Sequence, residues 1–200
     1  RHWGTATQRR VRGGVYPVSN DGQSPGGVPD GVEQAGWPMP FSDVTIPGNA
    51  TVITDQGGNL PLCVDGTITS ALSGTYLRMV DTCGSPATSR TGDLHFGAGP
   101  GTDCTVPPGT GAGNTHASRT GYFELNQIVA QGRADLPANA WLGAQLSANM
   151  NLNQTCNAFW DGSAVNFFRS GGGCRNPGDI AGIFDHEWGH GMDDNDAGGV

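Results

Sequence analysis

Over the first half of the chain apolar and polar residues alternate in short runs. Val44-Thr45-Ile46, Ala50-Thr51-Val52-Ile53-Thr54, Gly66-Thr67-Ile68-Thr69 and Gly74-Thr75-Tyr76-Leu77-Arg78-Met79-Val80 place apolar side chains at a period of two, which predicts half-buried antiparallel strands. Val15-Tyr16-Pro17-Val18 predicts an earlier strand. Asp21-Gly22, Pro25-Gly26-Gly27 and Pro29-Asp30-Gly31 punctuate the loop that follows it. A small sandwich is the expected arrangement. From Gly97 to Gly113 the chain is dense in Gly, Pro and Thr, the composition of a linker or long surface loop.

The period changes after Asn114. Tyr122, Leu125, Ile128 and Val129 recur at helical spacing, Asn114 or Thr115 is placed to cap that helix, and Pro137 lies beyond its end. Leu142 to Leu152 predicts a strand. Asn157-Ala158-Phe159-Trp160 and Ala164-Val165-Asn166-Phe167-Phe168 predict a hairpin turning on Asp161-Gly162. Aromatic residues in such strands are expected in packed core, which is the reading for Phe159 and Trp160. Ile180, Ile183, Phe184 and Trp188 return to helical spacing, with Asp179 as the expected N-cap. The fold class expected is α+β, with a β-rich accessory region over residues 1–108 and a second unit over 109–200.

Composition narrows the function classes. The net charge is −8, from fifteen Asp and three Glu against ten Arg and no Lys. An acidic chain without a basic stripe is a poor nucleic-acid binder. No run of about 20 apolar residues predicts a membrane-spanning helix. The five cysteines show no C-x-x-C spacing, so disulfides in an exported protein are expected rather than a zinc cluster. Cys156 and Cys174 flank the hairpin and are the expected pair; among Cys63, Cys83 and Cys104 the pairing stays open. Arg1-His2-Trp3-Gly4 is no signal peptide, so a longer precursor is expected.

The densest chemical signal is His186-Glu187-Trp188-Gly189-His190. Residues four apart on a helix stand one above the other, so both imidazoles can reach one ion at about 2.0–2.1 Å. Glu187 falls on the flank of that face, where a carboxylate can act as general base towards water. His186 and His190 are therefore the candidate zinc ligands and Glu187 the candidate catalytic base. A catalytic zinc takes three protein ligands and keeps one position open. Asp196 is an internal candidate for the third, although Asp193 occupies the position where enzymes using such a spacing turn on Gly. Asp193, Asp194 and Asp196 also offer the oxygen ligands that Ca²⁺ takes.

Two motifs together resemble one family. Asn157-Ala158-Phe159-Trp160-Asp161-Gly162 is similar to the N-A-F-W-x-G strand of thermolysin, and His186-Glu187-Trp188-Gly189-His190-Gly191 to the H-E-[YW]-[GT]-H-G form of the motif in fungalysins. The resemblance covers residues from about 114 to 194, the N-terminal half of a gluzincin catalytic domain. It implies a zincin fold and a secreted zinc metalloendopeptidase acting on peptides or proteins. It also implies that the side chain of Asn157 and the carbonyl of Ala158 hold the substrate backbone. His116 is similar to the His of an Ala-His pair in these enzymes, but a capping or core role is expected for it. In the family the third ligand is a Glu on a later helix, and here no Glu follows Glu187. A ligand from a missing C-terminal half is therefore expected. The rival readings are a complete small protease using Asp196, and a non-catalytic secreted binding protein with a decayed zincin half.

Overall fold

The structure, a computed structural model, describes residues 8–22, 30–97 and 113–196. Cys104, the Pro25-Gly26-Gly27 turn and nearly all of the Gly97–Gly113 loop lie outside the described residues. The first segment contributes β1 (Gln8–Val15), β2 (Gln34–Pro38), β3 (Asp43–Val44), β4 (Val52–Ile53), β5 (Asn59–Cys63), β6 (Thr67–Ser70), β7 (Leu77–Asp81), β8 (Thr88–Thr91) and β9 (Leu94–His95). The second contributes α1 (His116–Asp135), β10 (Leu146–Leu152), β11 (Ala158–Trp160), β12 (Ala164–Phe168) and α2 (Ala181–Asn195). The protein is mixed α+β.

The N-terminal strands do not form the expected sandwich. β1 is the centre of one sheet, antiparallel to β2 and β5 and parallel to β9, while β3–β4 and β6–β8 form separate two-stranded ladders. β1 also starts earlier than expected and stops at Val15, because Pro17 cannot donate to a ladder. β7 goes elsewhere. It joins the second segment's sheet, in the order β11-β12-β10-β7, and runs parallel to β10. The segments on either side of residue 108 thus share a sheet, and one apolar cluster runs from Val11, Leu60 and Leu94 through Leu125 and Met150 to Phe167 and Phe184.

Helix α1 forms where its pattern predicts. Thr115 is its N-cap and accepts from the N–H of Ser118 at 3.2 Å. A buried polar network fixes this end. Asp81, at the end of β7, accepts from the hydroxyls of Thr115 (2.7 Å) and Ser118 (2.5 Å), and from the amide of Asn151, which in turn accepts from Asn176 at 2.9 Å. Every partner of the buried Asp81 is a hydrogen-bond donor, so its burial leaves no lone charge unsolvated. Arg119, buried on α1, pairs with the buried Glu33 and donates to the carbonyl of Gly14, tying the helix to the N-terminal sheet.

α1 and α2 approach closely at Gly121, where a Cβ would stand 2.8 Å from the Phe184 ring and 3.0 Å from Met79. Any side chain there would wedge the helices apart. Phe184 is fully buried and meets Phe167 of β12 with ring centroids 4.6 Å apart. Its burial removes about 1.5–3 kcal/mol of apolar exposure to water. This contact seats α2 against the sheet.

Candidate metal centre

Four elements place the motif: α2 itself, the edge strand β11, the turn before α2, and a distant N-terminal segment. Asp179, expected as the N-cap of α2, does not cap it. Ile180 occupies the cap position without a side-chain bond, and the N–H of Ala181 donates to Ser19 Oγ at 3.2 Å. Asp179 instead pairs with His116 Nδ1 at the start of α1, and its backbone carbonyl accepts from the N–H of Asn20 at 3.0 Å. Both His116 and Asp179 are buried, so His116 has the structural role expected of it: it clips the turn before α2 to α1.

On α2 the two histidines stand one turn apart. Their Nε2 atoms are 3.1 Å from each other, with rings 4.6 Å apart at 84°. Two nitrogens at that separation can both lie about 2.0–2.1 Å from a single ion. Without one, the contact is a hydrogen bond in which one imidazole donates and the other accepts. Glu187, between them in sequence, turns inward and is only 6% exposed. Among the described residues its carboxylate has no hydrogen-bond or ion-pair partner, although it lines the groove between α2 and β11. Zinc fits this donor set in kind, since imidazole nitrogens with an adjacent carboxylate are what it takes.

The third position is a different matter. Among the described residues no group of three His, Cys, Asp or Glu side chains could hold a metal ion. Asp196 is the C-cap residue of α2, in extended backbone geometry, and is not brought together with the histidine pair. The helix runs straight through Asp193 to Asn195, where a Gly would be needed to turn the chain back. Asp193, Asp194 and Asp196 likewise form no such group of three among the described residues.

The groove has two compartments, of about 870 Å³ and about 560 Å³. They share four residues: Asn157, Ala158, His186 and Glu187. These are four of the six site residues singled out in the sequence; His190 lines the smaller compartment alone. The larger one continues past the Cys156–Cys174 disulfide to Arg175, Ile180, Ile183 and Asp21. That disulfide is the expected pair. Cys83 is also disulfide-bonded, and Cys63 is an exposed free thiol.

β11 is the edge of its sheet, and its hydrogen bonds show which main-chain groups are free. Asn157 O accepts from Phe168 N at 3.1 Å and Asp161 N donates to Ala164 O at 3.2 Å. In an antiparallel ladder bonded positions alternate, so the N–H and C=O of Ala158 and Trp160 point away from β12 towards the open edge. Hydrogen bonds to Asp161 hold the turn of the hairpin. Burial works against the charge of Asp161, yet hydrogen bonds from Ser163, Asn166 and Ala164 hold its carboxyl down at about 2.

Phe159 and Trp160 were expected in packed core, and only Trp160 comes near it. Phe159 is 37% exposed and meets Phe168 edge-on at 5.7 Å, because a three-residue edge strand has one face without a covering layer. Trp160 is half-buried in a cluster with Trp141 and Trp188, and its indole N–H donates to Asp194 at 2.6 Å. Gly191 lets this cluster close on α2, since a Cβ there would come within 2.8 Å of Trp141.

Ser19, Asn20, Asp21 and Arg175 were not anticipated at this site. Their contacts span about 150 positions, and only the small polar cluster at 19–21 marks them in the sequence. Compared with known protein families and with curated proteins, the chain matches none. Among the described residues no helix is long and apolar enough to cross a membrane.

Proposed function

We propose that this chain carries the zinc-binding helix and substrate strand of a secreted metalloendopeptidase similar to thermolysin and fungalysin. The observation that carries the reading is the junction of the groove: paired His186 and His190 nitrogens, an unpartnered buried Glu187, and the open main chain of Ala158 on one wall. Zinc, if held by His186, His190 and a third donor from outside the described residues, would supply a Lewis acid for the scissile carbonyl and for water. Glu187 is the group placed to take a proton from water in the groove and to return it to the departing amine. Asn157 and the free N–H and C=O of Ala158 and Trp160 hold an extended peptide by main-chain pairing, leaving selection to side-chain compartments. The disulfides support an extracellular setting.

The test uses the full natural chain that contains these residues. It is expected to bind zinc near one equivalent and to cleave unfolded polypeptides in a chelator-sensitive way. Glu187→Gln should keep the metal and lose about 10²–10⁴-fold in turnover. Cleavage that persists in Glu187→Gln, or a zinc-loaded protein that cleaves no peptide, overturns the proposal.

A further inference from the structure

The smaller compartment of the groove is the more acidic of the two, and this bears on which peptides enter. The smaller compartment is bounded on the α2 side by His190, Asp193 and Asp194 and on the β11 side by Phe159 and Trp160. Asp193 follows His186 by seven residues, so it stands on the face that carries the histidines. It is exposed and has no partner among the described residues. Asp194 is held in place by the Trp160 indole at 2.6 Å, a neutral donor that leaves its charge uncompensated. The negative end of the α2 dipole lies here as well, with no basic residue in the last turn. Among the described residues no Arg lines this compartment, and the chain has no Lys. The unpartnered Glu187, more than nine-tenths buried, opens into the same space and independently marks it as a ligand site. The larger compartment differs, with Ile180, Ile183 and Pro177 in its wall and with Asp21 and Arg175, the latter paired with Asp30, as its other charged residues besides the shared histidine and glutamate.

A peptide pairing with the open edge of β11 gains most per residue when antiparallel. Its N-terminal part then lies beside Trp160 and Asp193, and its C-terminal part beside Asn157 and the apolar wall. We infer that the site selects peptides carrying Lys or Arg within two residues on the N-terminal side of the scissile bond, with Asp193 as the specificity-determining carboxylate. The inference rests on the peptidase reading above. An aliphatic stem lying over Phe159 and Trp160 would bring the cationic head to Asp193, where salt screens the attraction.

Two measurements on the zinc-loaded full natural chain test it. Digestion of an unfolded protein mixture, with cut sites read by mass spectrometry, should show Lys and Arg enriched in the two positions before the cut. Asp193→Asn should remove that enrichment. In the Glu187→Gln background, fluorescence anisotropy should show labelled peptides with Lys before the expected cut binding about fivefold tighter than norleucine counterparts at low salt, and about equally at high salt. Cleavage or binding without a basic preference, or a preference unchanged in Asp193→Asn, overturns the inference and leaves the peptidase reading intact. A protein that neither binds nor cleaves any peptide overturns both.

Discussion

The hydroxyl of Ser19 accepts a hydrogen bond at 3.2 Å from the N–H of Ala181, a residue 162 positions later and the first of the motif helix. The helix that presents His186, Glu187 and His190 therefore begins on a side chain from the far end of the chain. An uncapped helix start leaves N–H donors without partners. Here the β-rich segment supplies one, and Asn20 adds a bond to the carbonyl of Asp179 beside it.

Ser19→Ala should accordingly cost about 1 kcal/mol of stability, the usual cost of losing a cap. In a domain of this size that corresponds to a fall of about 2–4 °C in melting temperature. Ser19→Thr, which keeps the hydroxyl, should recover most of it. Calorimetry of both variants decides the point; equal stability of Ser19→Ala and the parent protein would mean that water serves the Ala181 N–H equally well.

A second prediction concerns pH. Burial between the helices, with the carboxylate of Asp185 adding to it, pushes Glu124 up from its usual 4.5 to about 7. Asp185 is also raised, by its own burial. The folded protein thus holds a proton on Glu124 that the unfolded chain has released over this interval. By linkage, the stabilisation is fully present below about pH 4.5 and is lost as pH rises through about 7, beyond which it stays lost. Glu124→Gln removes the titration, so its denaturation midpoint should change less between pH 5 and 8 and should exceed that of the parent at pH 8. Parallel pH profiles for the two proteins would contradict this.

The Cys156–Cys174 bridge closes a loop of 18 residues' separation that contains the whole β11–β12 hairpin. Cys156 has a left-handed backbone at φ 65°, directly before Asn157. Replacing both cysteines with serine should lower stability by about 3 kcal/mol in the chain-entropy account. It should also loosen Asn157, so any peptide KM should rise more than kcat falls. Denaturation curves of the double-serine variant and the parent, both without reductant, give the first quantity, because reductant would also open the disulfide of Cys83. An unchanged midpoint in the double-serine variant would show that the hairpin hydrogen bonds alone hold the loop.

What could be read from residues alone was local. The Asp161-Gly162 hairpin, the Thr115 cap and the Cys156–Cys174 pair each rest on neighbours within about twenty positions, and each is found as expected. Apart from the strand expected over residues 15–18, which Pro17 cuts short, the misreadings are long-range. β7 has the alternation of any half-buried strand, and nothing in that pattern says that it pairs in parallel with β10 rather than with its sequence neighbours. Asp179 has the residue type and position of an N-cap, but His116, 63 positions earlier, claims its side chain. Phe159 looked like core because its exposure follows from β11 being an edge, a property of sheet order and not of composition.

The last prediction separates the motif from the acidic residues behind it. His186 and His190 converge at 3.1 Å, while Asp196 caps the helix and joins no group of three donors among the described residues. If the histidine pair is the protein's own share of a zinc site, His186→Ala and His190→Ala should each weaken zinc binding at least about tenfold, since each removes a direct ligand. Asp196→Asn should change it by less than about threefold. Competition titration against a chromophoric chelator measures all three on folded protein, with circular dichroism as the check on folding. A loss in Asp196→Asn as large as that in His186→Ala would make Asp196 a ligand, and would require the end of α2 to unwind when the metal binds. Unchanged affinity in both histidine variants would place the zinc elsewhere, and the 3.1 Å contact would then be only a hydrogen bond between two imidazoles.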